Sequence, residues 1–144
     1  MSVSSTPHEL RSFVVQRASN RCEYCQLSQI GQEATFHVDH ARPVASGGET
    51  VAENLALACV SCSLRKGARQ QVRDPHTGSM VALFNPRHDV WSEHFRWDGV
   101  ALAGLSPTGR ATVEALAMNR PLVREIRAEE AALGRHPAPT KSGS

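Results

Sequence analysis

The chain has 144 residues, of which 40% are hydrophobic, 21% charged and 5% aromatic, and its formal charge is +2 with the histidines neutral. That length allows one modest, mostly aliphatic core and excludes two full ones. No run reaches the length of a membrane span, and the charge is too small to imply a nucleic-acid partner, so any binding signal has to be local.

Thr6-Pro7-His8-Glu9 reads as a capping box with proline at the first helical position, and Leu10, Phe13 and Val14 form an apolar stripe; a helix is expected from about Pro7 to Ala18. Glu9, Arg11 and Arg17 interrupt the apolar stretch that a signal peptide needs, so a reducing cytoplasm is the expected compartment. All four cysteines fall within residues 21–70, with short extended pieces at 36–40 and 55–59 flanking a Gly-Gly loop. Further on, Asp74-Pro75-His76-Thr77-Gly78 is a turn between two extended segments, and Asp98-Gly99 is a hairpin signal. Ser106-Pro107 caps a helix carrying Val113, Leu116 and Ala117, with Asn119 as its expected stop. Pro121 opens a last helix bearing Leu122, Val123, Ile126 and Leu133, and the composition after Gly134 gives no reason for order. The expected organisation is an N-terminal helix (1–20), a functional core (21–70), a small β appendage (71–105), C-terminal helices (106–134) and a disordered tail (135–144).

Cys22 and Cys25 form one C-x-x-C pair and Cys59 and Cys62 another, with 33 residues between them. Each spacing lets two sulfurs point at one ion, and two such knuckles complete a tetrahedral Zn2+ shell. Four sulfurs leave no open position for water, so this zinc is structural, worth on the order of 10 kcal/mol to folding. Four thiolates and one Zn2+ would also bring the formal charge to about zero. The alternative, a redox or disulfide role, is disfavoured by the compartment and by the matched pairs.

Between the knuckles lies FHVDHARPVASGGETVAENLALAC. Asp39 beside His40 offers what metal-assisted hydrolysis requires: a hard oxygen for a divalent ion, and an imidazole that accepts a proton from water near neutral pH. Strand alternation puts His37 and Asp39 on one side and Phe36, Val38 and His40 on the other, so a kink at 40–43 is expected to bring Asp39 and His40 toward one site. After the second knuckle a short helix should end near Gly67, with Ser63 and Lys66 sharing a face. Arg42, Arg65, Lys66 and Arg69, with Arg73, make the one concentrated basic patch, suited to a phosphate backbone rather than to base edges. His37 is an accessory ligand or phosphate contact, or else a structural or solvent-facing residue, and Trp91, Phe95 and Trp97 are expected to be core rather than a base-stacking platform.

In order along the chain, Cys22/Cys25, Asp39-His40-Ala41-Arg42-Pro43, Gly47-Gly48, Asn54-Leu55-Ala56-Leu57-Ala58-Cys59, Cys62 and Lys66-Gly67 resemble the zinc-stapled HNH endonucleases. The stretch from LFNPRHDVWSEHF through GLSPTGRATVEAL resembles tails found in one branch of them. The resemblance implies an α+β chain with a ββα-metal core stapled by a four-cysteine zinc site, and an enzyme that hydrolyses DNA phosphodiester bonds with a divalent ion, Mg2+ or Mn2+. It implies that Asp39 ligates that ion, that His40 is the general base, and that Asn54 braces the loop holding the histidine. The third motif letter, a His or Asn ligand in the family, falls here on Ser63, whose hydroxyl is a weaker ligand. Arg42, where relatives carry an apolar residue, is a second departure. The alternative is a zinc-containing nucleic-acid-binding module, impaired at Ser63.

Overall fold

The computed structural model describes residues 7–140. Thr6, the expected helix cap, and the last four residues of the tail lie outside them. The first helix, α1 (Pro7–Arg17), buries Val14 completely and packs Leu10 and Val15 beside it. Phe13 does not join that stripe: it stays 51% exposed, with the Arg17 guanidinium 5.2 Å over its ring.

Strands β1 (His37–His40) and β2 (Leu55–Ala58) form an antiparallel pair in the register His37 to Ala58 and His40 to Leu55. All four β2 residues are buried, because its free edge is also covered. The Glu23 amide donates to the Leu57 carbonyl at 2.8 Å, and the Leu57 amide donates to Glu23 Oε2 at 2.9 Å. Arg17 on α1 donates to the carbonyls of Ala52 and Leu55, and Arg11 to that of Phe36, so one helix holds the ends of both strands.

Directly after β2 comes α2 (Val60–Lys66), capped by the Cys59 sulfur and ended at Gly67, whose φ of 54° suits a residue without a Cβ. Two further antiparallel pairs follow. β3 (Gln71–Arg73) pairs with β4 (Met80–Ala82), and β5 (Phe95–Asp98) pairs with β6 (Ala101–Gly104) across the Asp98-Gly99 turn. A short helix, α3 (Trp91–His94), leads into β5. Trp91, Phe95, Trp97, Phe84 and His94 pack against one another in tilted and edge-on pairs, and Tyr24 of the first knuckle meets Phe84 edge-on at 6.3 Å. Trp91, Phe95 and Trp97 are therefore core, and a single buried cluster runs from Val14 through both knuckles to Met118.

Helix α4 (Pro107–Ala115) starts at a Ser106 cap that accepts from the Gly109 amide at 2.9 Å. It ends earlier than Asn119, because Ala117 takes a left-handed conformation, φ 47°. Asn119 instead clamps both main-chain groups of Leu102. Helix α5 (Pro121–Ala132) buries Val123, Arg127 and Glu130 and leaves Leu122 and Leu133 exposed. The start of the tail, expected to lack order, is held: Arg135 pairs with Glu130 at 2.8 Å, and His136 donates to the Gly99 carbonyl and meets the Trp97 ring edge-on. No helix among the described residues is long and apolar enough to cross a membrane.

Candidate metal centre and hydrolytic site

The four cysteines are buried, free, and held with all four sulfurs within 4.8 Å of one another. The two knuckles have one local geometry. The Cys25 amide points at the Cys22 sulfur and the Cys62 amide at the Cys59 sulfur, each at 3.4 Å. Cys25 and Cys59 sulfurs stand 3.8 Å apart, far beyond the roughly 2.05 Å of a disulfide and equal to the edge of a tetrahedron with about 2.3 Å metal–sulfur bonds. Hydrogen bonds from the other three cysteines pull the Cys59 thiol well down, while burial pushes Cys22 up and the same sulfur contacts push Cys62 up. Only a bound cation lets all four ionise in that space, and the donor set fits zinc.

Arg127 of α5 lies near these sulfurs. Burial lowers its pKa, nearby Cys25 and Cys62 oppose that, and its Nη2 is buried without a hydrogen-bond partner. Its Nη1 donates to the Val100 carbonyl, and the guanidinium sits 4.9 Å over the Trp97 ring.

The Asp-His pair stands at the end of β1, where the chain leaves the sheet. Asn54 stitches the following loop: its Oδ1 accepts from the Arg42 amide at 2.8 Å, and its Nδ2 donates to the carbonyls of Arg42 at 3.0 Å and Glu49 at 2.9 Å. Gly48 is needed for that closure, since a Cβ there would lie 1.8 Å from the Arg42 oxygen. The folded-back loop brings Thr50 against His40, Nε2 to Oγ1 at 2.9 Å.

On the opposite face of β1, the residues meet α2. His37 Nδ1 and Ser63 Oγ are 2.9 Å apart, so the serine at the third motif position is already engaged. Lys66, expected to face phosphate, is turned inward instead and is 2% exposed. Its ammonium lies 3.1 Å from Asp39 Oδ2 and donates to the His40 carbonyl at 2.9 Å. The approach to Oδ2 is off the line of a hydrogen bond, so that oxygen is ion-paired, buried and without a hydrogen bond. The physical reason for the inward turn is position. Lys66 closes the face of α2 that packs on β1, and the unpaired carboxylate there attracts its charge. Asp39 and His40 are therefore joined through Lys66, and among the described residues no hydrogen bond or ion pair links their side chains directly.

Arg42, Arg65 and Arg69 remain exposed, each with a donor tied to the Ser46 carbonyl, the Ser61 hydroxyl and the Ala115 carbonyl respectively. Three residues that matter to the site gave no spacing signal: Thr50 on His40, Arg17 on the chain either side of Asn54, and Glu23 on β2. His88 and His94 lie in the aromatic region, and His94 Nδ1 meets Ser106 Oγ at 2.6 Å.

A strand pair and helix bearing an Asp-His pair, beside four clustered cysteines able to hold a metal ion, define a mixed helix-and-strand chain. The family model described as HNH endonuclease matches residues 22–69, about a third of the chain, so that segment is similar to HNH endonucleases. No curated protein and no solved structure matches the chain.

Proposed function

We propose that this chain is an HNH-type endonuclease with a ββα-metal core, hydrolysing DNA phosphodiester bonds with His40 as general base. The observation that carries the reading is the His40 imidazole, placed at the strand end beside Asp39 with one ring nitrogen held by Thr50. With Thr50 Oγ1 as acceptor, Nε2 keeps the hydrogen and Nδ1 keeps its lone pair for a water proton. Thr50 acts here through the histidine, as a positioning residue. Asn54 acts one step further back, fixing the loop that presents Thr50.

Asp39 keeps one carboxylate oxygen for a hard cation while Oδ2 faces Lys66, and Asp39 with Ser63 or a water in its place would hold Mg2+ or Mn2+. Such an ion, when bound, neutralises charge on the phosphate and the departing oxygen. Arg42, Arg65 and Arg69 contact the DNA backbone with little sequence preference, and a reducing cytoplasm keeps the four cysteines available to zinc.

The test is plasmid cleavage across a panel of divalent metals. His40→Ala should lose about 100-fold or more in rate, and Thr50→Val about tenfold with DNA affinity unchanged. Unchanged cutting by His40→Ala sinks the proposal. A second reading is favoured by the Ser63–His37 bond, which removes one ligand: a zinc-containing module that binds DNA without cutting it. It wins if the natural chain binds but never cuts, while Ser63→Asn cuts.

A further inference from the structure

The amine of Lys66 sits in a cage of oxygens. The His40 carbonyl lies at 2.9 Å, Asp39 Oδ2 at 3.1 Å and the Gly67 carbonyl at 3.5 Å, and the side chain is 2% exposed. Two of these oxygens, the carbonyls, accept hydrogen bonds from the amine, and the third is ion-paired to it. A lysine so deeply buried is not a phosphate contact, and the carboxylate facing it supplies the opposite charge that a buried ion needs. The carboxylate is divided in consequence: Oδ2 turns inward to the ammonium, while the Asp39 side chain stays 17% exposed, leaving its other oxygen for a ligand from the solvent side.

We propose that Lys66 is the resident cation of this site, a positioning residue that orients Asp39 and weakens divalent-ion binding by neutralising the carboxylate before any metal arrives. This rests on the reading of Asp39 as the ligand of the divalent ion. Asp39 and Lys66 together carry no net charge, so an entering ion meets a neutral pair, and it must also approach an ammonium fixed on the far oxygen. Removing that single positive charge while keeping the carboxylate strengthens attraction for a divalent ion at any plausible protein dielectric. Ser63 adds to the weakness, since its hydroxyl is committed to His37.

The experiment titrates the zinc-loaded full chain with Mn2+ alone and follows free Mn2+ by electron paramagnetic resonance, with no DNA present. Four proteins are compared: the natural chain, Lys66→Met, Lys66→Gln, and Lys66→Gln combined with Asp39→Asn. Gln keeps an amide donor for the His40 carbonyl, so it covers the case in which Met fails to fold; zinc content and thermal melting confirm each protein. The expected result is Mn2+ affinity about tenfold or more higher in the Lys66 variants, lost again in the double variant. Equal or weaker binding in a folded Lys66 variant overturns the proposal, as does tighter binding that survives Asp39→Asn, or Mn2+ binding to none of the four. These outcomes are separate from failure of the nuclease reading, which is read from cleavage by the natural chain and leaves the titration untouched.

Discussion

Replacing Asn54 by alanine removes three hydrogen bonds, to the amide and carbonyl of Arg42 and the carbonyl of Glu49. Each is worth about 0.5–1.5 kcal/mol net. The loop is at the surface and water replaces part of what is lost, so the low half of that range applies, giving about 2 kcal/mol in all. For a chain of this size that lowers the melting midpoint by about 6–8 °C. Asn54→Asp discriminates further. It keeps the acceptor for the Arg42 amide but sets an oxygen where Nδ2 stood, facing two carbonyl oxygens. Aspartate should therefore be less stable than alanine by about 1 kcal/mol or more, although it is the closer match in shape. Melting of the zinc-loaded proteins followed by circular dichroism at neutral pH reads both. An aspartate variant as stable as the alanine variant, or an alanine variant within about 0.5 kcal/mol of the natural chain, would refute the assignment of Asn54 as the stitch of this loop.

Metal analysis should find one zinc per chain, lost in Cys62→Ala. Because the zinc contribution of about 10 kcal/mol rivals the whole stability of an ordinary domain, the chelated chain should lose its cooperative melt; an unshifted melt after chelation speaks against a structural zinc. The third prediction concerns acid. Hydrogen bonds from Arg110, with further ones from the His76 amide and Thr77, hold the buried Asp74 carboxyl well below the ordinary aspartate range. A lowered folded value means the contribution is complete above the unfolded value of about 4 and is lost as pH falls toward the folded one. Asp74→Asn should thus flatten the acid limb of the stability profile below about pH 4, and an unchanged slope there would remove Asp74 from the account.

Turn and cap chemistry was the most legible part of the sequence, because it depends on near neighbours. Ser106 with Pro107, Asp98 with Gly99, and Gly67 each need only a local conformation, and each element forms where its residues ask for it. The cysteine cluster was legible for a related reason, since two matched spacings constrain one ion. Apolar periodicity misled where polar groups took the buried positions. Arg127 and Glu130 are buried on α5 while Leu122 and Leu133 are not, because each buried charge has a specific partner: the Val100 carbonyl and Trp97 ring for Arg127, and Arg135 for Glu130. Lys66 reads in the sequence as an open phosphate contact for the same reason. Its partner lies 26 positions away in the sequence on β1, and only the packed helix reveals that its face is closed. Thr50 needed the folded loop to meet His40 at all.

The Glu23 carboxylate ties three parts of the chain at once. One oxygen takes the Leu57 amide of the central strand, the other pairs with Arg87, and the residue itself sits between Cys22 and the buried Tyr24. The stretch that carries the family likeness is consequently smaller than the unit that folds. An excised segment ending near residue 70 would strip Phe84 from Tyr24 and leave a half-buried carboxylate without its counter-charge. Grafting residues 22–69 into another scaffold therefore means carrying Arg87 and the aromatic layer with them.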